Sequence, residues 1–345
     1  MNANVHEVAV RDVIAETSDS VTIVLDIPDH MTHEFEYSCG QFLTVRIPSS
    51  TTGSVARCYS LSSSPSRDSS PAITVKRTAA GYASNWLCDN IITGSVLTVL
   101  APSGTFVPST LNQDVLLCAA GSGITPIMSI AKTVLAGGEG AVTVLYANQN
   151  RASVIFDRQL AELEREYPQR LDVVHWLVEE KGVPTAAALA DVVGSYTFDD
   201  VFVCGPAGFM DEIEKALLSI GVAEQRVRRE TYRSLDSNPF ESVAAPQARP
   251  TTGNAPVLAV EIDGQNHTLA WPKGSTLLDV LLDNGIDAPY VCRESICGTC
   301  VCSVRKGRTR MLMHDALTDD DIEMGVTLAC QTLPESDEIF IAFDQ

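Results

Sequence analysis

The sequence predicts three folded parts, namely an antiparallel β domain, an α/β domain with a parallel sheet, and a small third domain behind a linker. Its 345 residues exceed what one core usually organises, since domains run to roughly 100–200 residues. β-branched runs between Pro, Gly and Ser clusters come first, and apolar runs alternating with helix-length segments follow them. Residues 237–256 show neither the two-residue repeat of a strand nor the 3.6-residue repeat of a helix. They are rich in Pro and Ala, which is typical of a linker.

The first predicted domain, residues 1–108, consists of six short strands bounded by turn-forming residues. Such a series is typical of an antiparallel barrel or sandwich. The strands are predicted at Glu7–Val13, Val21–Ile27, Phe42–Ile47, Ala56–Leu61, Ala72–Arg77 and Val96–Leu100, with one helix at Ser84–Asn90.

The second predicted domain, residues 109–236, alternates apolar strands with helices. This alternation indicates crossover connections and a parallel sheet covered on both faces. The strands are predicted at Val115–Ala120, Val142–Ala147, Leu171–Leu177, Val201–Cys204 and Val227–Tyr232. The helices are predicted at Thr125–Leu135, Val154–Tyr167, Pro184–Val193 and Ala207–Ile220. Residues 257–345 form the third predicted domain.

The composition limits the classes of function. Lys and Arg number 24 against 44 Asp and Glu, so we do not expect the broad basic surface that binds nucleic acid or anionic lipid. The sequence has no run of 18 apolar residues and no secretory signal, which predicts a cytoplasmic protein without a membrane span. Ten cysteines are too few for a disulfide scaffold, yet four fall within eleven residues, which indicates a metal site.

The clustered cysteines have a specific spacing. Cys292, Cys297 and Cys300 form C-x4-C-x2-C, and Cys330 follows after 29 intervening residues. Plant-type [2Fe-2S] sites, in which four thiolates hold two irons, have this pattern, so we predict these four residues as iron ligands. A zinc site and unligated buried cysteines are the alternatives. Cys302 has no place in a four-thiolate pattern and is predicted to pack in the core.

Residues 257–345 resemble a plant-type ferredoxin domain, through the cluster loop CRESICGTC and the later segment TLACQT around Cys330. The resemblance implies a β-grasp fold, a small mixed sheet with one helix across it. We place that helix at Leu277–Asn284. The resemblance also implies a cluster that carries one electron at a time.

Three segments of the β domain carry groups that a flavin needs. RCYS at Arg57–Ser60 supplies a guanidinium for a phosphate, a ring to stack on the isoalloxazine and a hydroxyl for its reactive edge. Alone, this motif would equally suit an ordinary strand with one exposed Arg. VKR at Val75–Arg77 lies on a further strand, and GYASNWL at Gly81–Leu87 begins a helix whose free amides suit a phosphate.

In this order the three segments resemble the flavin domain of the ferredoxin-NADP reductase superfamily. The flavin contacts that the resemblance implies are Arg57, Tyr59, Ser60, Leu61, Val75, Lys76, Gly81 and Ser84. Many relatives have two glycines where this chain has Ala80 and Gly81, which leaves the phosphate contacts open at this position.

Two strand-to-helix junctions of the α/β domain predict a dinucleotide site. In AAGSGITP, Gly121 and Gly123 allow a tight turn and the close approach of a pyrophosphate, and Thr125 lies at the helix amino end. The second junction is CGPAGFM, at residues 204–210. The first segment has the G-x-G-I-T-P form of the same reductase superfamily.

The superfamily resemblance implies that Cys204, with Gly205 and Pro206, lies against the nicotinamide, near the carbon that releases hydride. A buried structural cysteine is the alternative. The resemblance also assigns Glu230 to proton or nicotinamide handling and Ser60 to the flavin edge, so we predict Ser60, Cys204 and Glu230 as catalytic residues.

Beyond the second strand of the α/β domain, Arg151 and Ser153 are suited to a 2'-phosphate, so the residues leave the choice between NADH and NADPH open. The resemblance favours NADH. A nicotinamide delivers two electrons as hydride whereas the cluster accepts one, and flavin can handle both. The domain order therefore predicts an electron path from NADH through flavin to the cluster and then to another protein.

Nearly the whole chain, including HEFEYSCGQFLTVRIP and LYANQNRASVIF, resembles the family of oxygenase reductase components, in particular those of 3-ketosteroid 9-alpha-monooxygenase, also called 3-ketosteroid 9-alpha-hydroxylase. The resemblance implies FAD, NADH, a [2Fe-2S] cluster and a Rieske-type oxygenase partner that hydroxylates steroids. A reductase of phenylacetyl-CoA epoxidase or of another ring-hydroxylating oxygenase is the alternative. FMN in place of FAD and a non-catalytic redox sensor also stay open.

Overall fold

The β-branched runs of the first domain form one six-stranded sheet in the computed structural model, which describes residues 5–232, 234–235, 238–240 and 255–343. The strands are β1 (Val5–Thr17), β2 (Ser20–Asp26), β3 (Phe42–Ser49), β4 (Gly53–Ser60), β5 (Ala72–Lys76) and β6 (Val96–Leu100). Their order is β4-β3-β6-β1-β2-β5. An antiparallel bridge between Leu61 and Ile73 joins the outermost strands, so the sheet closes into the predicted antiparallel barrel.

β1 is longer than its alternation predicts. Its register against β2 shifts between Val10 and Asp12 and again between Ala15 and Thr17. Such bulges absorb residues that break the two-residue repeat, so pairing continues past them. The segment Asp29–Phe35, which carries no clear repeat, forms a 3-10 helix that was not predicted.

The single helix of the barrel domain, α1 (Tyr82–Asn90), begins two residues before its predicted start because Gly81 serves as its N-cap. Leu87 of α1 is fully buried and belongs to the same apolar core as Ile23, Leu43 and Ile73 of the strands. The helix therefore packs on the barrel and covers one end of its core.

The α/β domain contains five parallel strands in the order β11-β10-β7-β8-β9. The strands are β7 (Val115–Ala120), β8 (Val142–Asn148), β9 (Leu171–Leu177), β10 (Asp200–Cys204) and β11 (Val227–Glu230). The helices are α2 (Ile124–Gly137), α3 (Asp157–Glu166), α4 (Val178–Lys181), α5 (Ala186–Val193) and α6 (Ala207–Ser219). Two apolar cores lie against the two faces of this sheet, as a parallel sheet requires. The prediction of a covered parallel sheet is confirmed.

α3 begins three residues later than its apolar repeat predicts. Asn150 and Ser153 form a capping box that closes a 3-10 turn at Arg151–Ser153, and Phe156 has a φ of 62°. A residue in the left-handed region cannot continue a helix, so α3 begins at Asp157. Phe156 itself is buried against the sheet.

The third domain has the mixed sheet of a β-grasp fold, in the order β13-β12-β18-β14-β16, with β12 and β18 parallel. Its elements are β12 (Val257–Ile262), β13 (Gln265–Ala270), α7 (Leu277–Asp283), β14 (Val301–Lys306), β15 (Thr309–Met311), α8 (Asp319–Glu323), β16 (Val326–Leu328), β17 (Thr332–Pro334) and β18 (Glu338–Ala342). Thr276 caps α7, whose apolar face packs on the sheet around Trp271. The fold predicted for this domain is confirmed.

The first two sheets belong to one compact unit and the third sheet belongs to another. The predicted linker lies mostly outside the described residues, so its boundaries stay a prediction. Within the described part of the chain, none of the helices has the length and apolar character needed to cross a membrane.

Candidate functional site

The carboxyl end of β4 presents the central flavin residues of the prediction. Arg57 and Tyr59 point to the same side of the strand, because side chains two residues apart share a face. β4 pairs with β3 along its length and places Tyr59 opposite Leu43. Burial raises the pKa of the Tyr59 phenol, so its ring lies in surroundings of low polarity. A guanidinium and an aromatic ring thus stand side by side, as a flavin phosphate and isoalloxazine require.

The turn before α1 is shaped for a phosphate. A Cβ on Gly81 would come within 2.9 Å of the Thr78 Cβ and 3.0 Å of the Ser84 Oγ, so only glycine fits. The Ser84 hydroxyl accepts a hydrogen bond from the Thr78 amide at 3.1 Å and closes the turn. Ala80 has a φ of 58°, in the region that favours glycine. The first-turn amides of α1 have no helical partner and suit a phosphate.

Three other residues that were predicted to contact flavin have side chains that are buried or already paired. Leu61 and Val75 are buried, with their side chains in the barrel core, so only their backbone groups are available to a cofactor. The Lys76 ammonium lies 3.7 Å from the Asp19 carboxylate, on the neighbouring turn. Contact of these three residues with flavin stays a prediction.

The two predicted nicotinamide turns pack directly against each other. A Cβ on Gly123 would lie 2.1 Å from the Cys204 carbonyl oxygen and 2.8 Å from the Gly205 nitrogen. Gly121 has a φ of 54°, which a side chain would strain. A Cβ on Gly205 would meet the Ala120 Cβ at 3.0 Å. The glycines therefore allow a contact of backbone on backbone that larger residues would prevent.

These turns follow β7 and β10, which are neighbours in the sheet. From β7 the chain moves first to β8 and β9 on one side, and later crosses to β10 and β11 on the other. A crevice at such a reversal of strand order is where open α/β sheets bind ligands. Pro206, the last predicted residue of this group, is the N-cap of α6 beside the crevice.

The Tyr232 hydroxyl connects the barrel to the turn after β7. It lies 2.8 Å from the Thr125 Oγ1 and 3.4 Å from the Ser60 Oγ, and it donates to the Ser122 carbonyl at 3.3 Å. Although 46% of Tyr232 is exposed, its hydroxyl is enclosed by these partners, and burial raises the pKa of the phenol. Sequence reasoning missed this residue because it placed Tyr232 at the end of a strand that stops at Glu230.

Cys204 and Glu230 are paired across neighbouring parallel strands. Burial raises the pKa of the Cys204 thiol, so the thiol stays protonated at neutral pH and offers a neutral surface to a ring. Burial raises the pKa of Glu230 to about 7. A carboxyl with such a pKa can hold or release a proton under working conditions. The catalytic role of both residues stays a prediction.

The loop after β8 shows how the residues suited to a 2'-phosphate are used. The Arg151 guanidinium contacts both oxygens of the Asp157 carboxylate, at 2.6 and 3.2 Å. The Ser153 hydroxyl is engaged with Asn150 in the capping box. The Arg151 guanidinium is thus already paired with a carboxylate and the Ser153 hydroxyl with the backbone, so the arrangement favours the 2'-hydroxyl of NADH over the 2'-phosphate of NADPH. No motif in the sequence singled out Asp157.

The four predicted iron ligands are buried and form two pairs. The Cys297 Sγ accepts the Cys292 amide at 3.5 Å and the Cys292 Sγ accepts the Cys297 amide at 3.4 Å. The thiols of Cys300 and Cys330 interact, which raises the pKa of Cys300 and lowers that of Cys330. Among the residues that the structure describes, no three His, Cys, Asp or Glu side chains converge as one mononuclear metal site requires. Four buried thiols are the donor set that the two irons of a [2Fe-2S] cluster need, so these residues fit such a cluster.

Amide groups around the loop point at these sulfur atoms. The backbone nitrogens of Cys292 and Glu294 lie 3.5 Å from the Cys297 Sγ and 3.3 Å from the Cys292 Sγ, respectively. The Gln331 side chain donates to the Cys330 Sγ at 3.5 Å. Such donors stabilise the negative charge that thiolates and a bound cluster carry.

The loop reaches this shape through left-handed backbone at Arg293, Ser295 and Gly298, with φ values of 60°, 61° and 70°. The Ser295 hydroxyl donates to the Asp315 carboxylate at 2.7 Å, and the Arg293 carbonyl accepts from Gln331 at 2.8 Å. Strained backbone persists where surrounding contacts hold it, which is common at functional sites. Outside the ligand set, Cys302 lies in the apolar core of this domain, as predicted.

Three protein-family models match the chain. An oxidoreductase FAD-binding domain matches residues 7–107, an oxidoreductase NAD-binding domain matches residues 117–215, and a 2Fe-2S iron-sulfur cluster binding domain matches residues 260–335. The matches follow the order of the three domains along the chain. They agree with the cofactor set predicted from the motifs.

Comparisons over the full length agree with these models. The ferredoxin reductase component of 3-ketosteroid-9-alpha-monooxygenase from Mycobacterium tuberculosis is 50% identical over 99% of this chain and 97% of its own length. A component of the 1,2-phenylacetyl-CoA epoxidase from Escherichia coli is 30% identical over 98% of each chain. The crystal structure of phthalate dioxygenase reductase shares the fold, with a TM-score of 0.56 and 21% identity over 98% of each chain.

Proposed function

Because the chain belongs to the family of ferredoxin reductase components of 3-ketosteroid-9-alpha-monooxygenases, we propose that it passes electrons from NADH to the oxygenase component of such an enzyme. It is an oxidoreductase with domains for FAD, NAD and a [2Fe-2S] cluster. Bound FAD supplies the chemistry of taking up an electron pair and releasing single electrons, which a one-electron cluster requires.

One observation carries the proposal. Ser60, on the strand that presents the flavin residues, and Thr125, on the turn after β7 that packs against the Cys204 turn, share the Tyr232 hydroxyl as a hydrogen-bond partner. The reactive edge of a flavin held by β4 and a nicotinamide ring held by the turn after β10 would therefore meet at one point. Hydride transfer needs this juxtaposition, because the reacting atoms must approach to about 3–3.5 Å.

The residues of this chain then have separable tasks. Arg57 and the first turn of α1 are placed to bind the flavin phosphates. Gly121 and Gly123 let the pyrophosphate of NADH approach the backbone. The four buried thiols fit the cluster, and the amides around them favour its negative charge.

The partner follows from the family. Its members are named as components, so an oxygenase component must receive the electrons. We propose a Rieske-type oxygenase that hydroxylates a ketosteroid, because a Rieske centre takes electrons singly from a donor such as a [2Fe-2S] cluster. We also propose a cytoplasmic location, since none of the ten cysteines forms a disulfide and disulfides are rare in a reducing compartment.

The test is reconstitution. The purified holoprotein, NADH and the oxygenase component of a 3-ketosteroid 9-alpha-monooxygenase are combined with a 3-ketosteroid, and NADH loss is compared with hydroxylated product. Coupled turnover, lost when Cys297→Ser replaces the wild type, would support the proposal. Full cofactor content without turnover, with this oxygenase and with the artificial acceptor cytochrome c, would favour a non-catalytic redox sensor. Turnover with cytochrome c alone would reject the steroid oxygenase as partner and keep the reductase activity.

A further inference from the structure

One face of α2 runs from the hydride site to the barrel. Thr125, at the start of the helix, bonds Tyr232, and Ser129 and Thr133 follow at intervals of four residues on the same face. Eight residues of α helix span about 12 Å. Whatever fixes the far end of this face therefore also fixes the end that lies at the hydride site.

The far end of α2 is fastened to the loop that leaves β4. The Ser129 hydroxyl donates to the Ser63 carbonyl at 2.6 Å. The hydroxyls of Ser64 and Thr133 lie 2.8 Å apart. All four residues are buried. This loop begins directly after Ser60. The same short segment therefore carries the predicted flavin residues and forms hydrogen bonds with α2, the helix of the predicted nicotinamide site.

Between these hydroxyl contacts lies a charged pair. The Lys132 ammonium is 2.5 Å from the Asp68 carboxylate, and the Lys132 side chain is 9% exposed whereas that of Asp68 is 33% exposed. Burial lowers the pKa of Lys132, which the attraction of Asp68 opposes. The same carboxylate oxygen accepts the Ser64 amide at 2.7 Å, so it is held from both sides.

An ion pair with one buried charge gives little net stability, because the cost of removing the Lys132 ammonium from water offsets its attraction to Asp68. It does fix geometry, since a single charge displaced from its partner would stay buried and uncompensated. Apolar side chains could fill the same space, but they would let α2 slide along the loop after β4. The pair therefore serves to fix the position of α2 against the loop after β4 rather than to stabilise the fold.

We propose that Lys132 is a positioning residue for hydride transfer, which it serves by locking α2, through Asp68, at one distance from the flavin-binding strand. This inference rests on the proposed function and adds a determinant of its geometry. Lys132 itself touches none of the reacting atoms. Its effect reaches them through α2 and Thr125.

The test compares Lys132→Met and Asp68→Asn with wild-type holoprotein of matched FAD and iron content. Flavin reduction at saturating NADH should slow by roughly tenfold, because small misplacements of reacting atoms are costly. The dissociation constant for NAD+, from calorimetry, should change by less than about twofold, because the turns that bind it are intact. The primary deuterium isotope effect should become more temperature-dependent as the donor–acceptor distance loosens.

Arg67→Met is the matched control. Arg67 adjoins Asp68 and joins the same loop to Glu166 of α3 at 2.6 Å, but both side chains of this pair are over a third exposed, so little change is expected. If Lys132→Met folds poorly, Asp68→Asn, which keeps the shape and the Ser64 contact, decides the result.

Isotope effects and reduction rates equal to wild type in Asp68→Asn would overturn the positioning role. A lower unfolding temperature with unchanged isotope effects would assign the pair to stability alone. Wild-type protein that NADH does not reduce would instead reject the proposed function.

Discussion

The Ser60 and Tyr232 hydroxyl oxygens lie 3.4 Å apart, although 172 positions separate the residues in the sequence. One belongs to the strand that presents the flavin residues, and the other follows the last strand of the nicotinamide sheet. Because the same phenol also contacts Thr125, the contact places the two predicted cofactor sites side by side. We therefore expect hydride to pass between the two domains near this point.

Replacing Tyr232 by Phe should weaken this junction. The variant loses hydrogen bonds to enclosed partners, so we expect the free energy of unfolding to fall by about 1–2 kcal/mol and flavin reduction by NADH to slow. Thermal denaturation and rapid mixing would measure the two effects. Tyr196→Phe is the control, because it removes one bond to Asp172 at the surface. Equal behaviour of the two variants would contradict the account of Tyr232.

Replacing Gly123 by Ala should separate the two nicotinamide turns. The new methyl group would lie 2.1 Å from the Cys204 carbonyl oxygen, so the backbone must shift, at a cost of about 1–3 kcal/mol in the free energy of unfolding. The affinity for NADH, measured by titration, should fall as well, because the shifted backbone belongs to the predicted nicotinamide site. Gly208→Ala is the matched control, since a Cβ there meets nothing within 4 Å and should not lower the unfolding temperature. Wild-type affinity and stability in Gly123→Ala would show that the close approach is unimportant.

Glu230 should give the protein a pH dependence near neutrality. Its pKa is about 7 when folded and 4.5 ordinarily, so the folded state disfavours the charged form. The free energy of unfolding should therefore fall as the pH rises from about 4.5 through about 7, and NADH affinity should fall with the new negative charge.

Glu230→Gln should remove both pH effects, which chemical denaturation and NADH titration at several pH values would detect. Glu224→Gln, at an exposed position, serves as the control. A pH profile that survives in Glu230→Gln would assign the titration to another group.

Replacing Cys297 by Ser should abolish the visible absorption of the cluster, because one thiol pair is broken, while NADH still reduces the flavin. Cys302→Ser is the matched control. It lies in the apolar core, so it should lose about 1–2 kcal/mol of stability and keep the cluster. Iron analysis and absorption spectra would show whether each variant contains the cluster. A full cluster in Cys297→Ser would remove that residue from the ligands.

The barrel and the parallel sheet could be predicted because they depend on local periodicity, whereas the β-grasp fold followed from the resemblance to plant-type ferredoxin domains. The cysteine spacing predicted the four thiols that lie buried in the third domain. Contacts between distant segments could not be predicted. Tyr232 follows a strand that ends at Glu230, two residues before its predicted end, so nothing in the sequence indicated a contact of its hydroxyl. Lys132 is the one charged residue in an apolar helix, and no sequence pattern separates a buried interface lysine from an exposed one.

The central claim is that one chain converts an electron pair from NADH into single electrons at its cluster. Rapid anaerobic mixing of the holoprotein with NADH, monitored at the flavin and cluster absorption bands, tests it most directly. The account predicts that flavin absorbance falls first, that cluster absorbance falls after it within the same molecule, and that the second phase is absent in Cys297→Ser. Flavin that is reduced while a fully loaded wild-type cluster stays oxidised would contradict it.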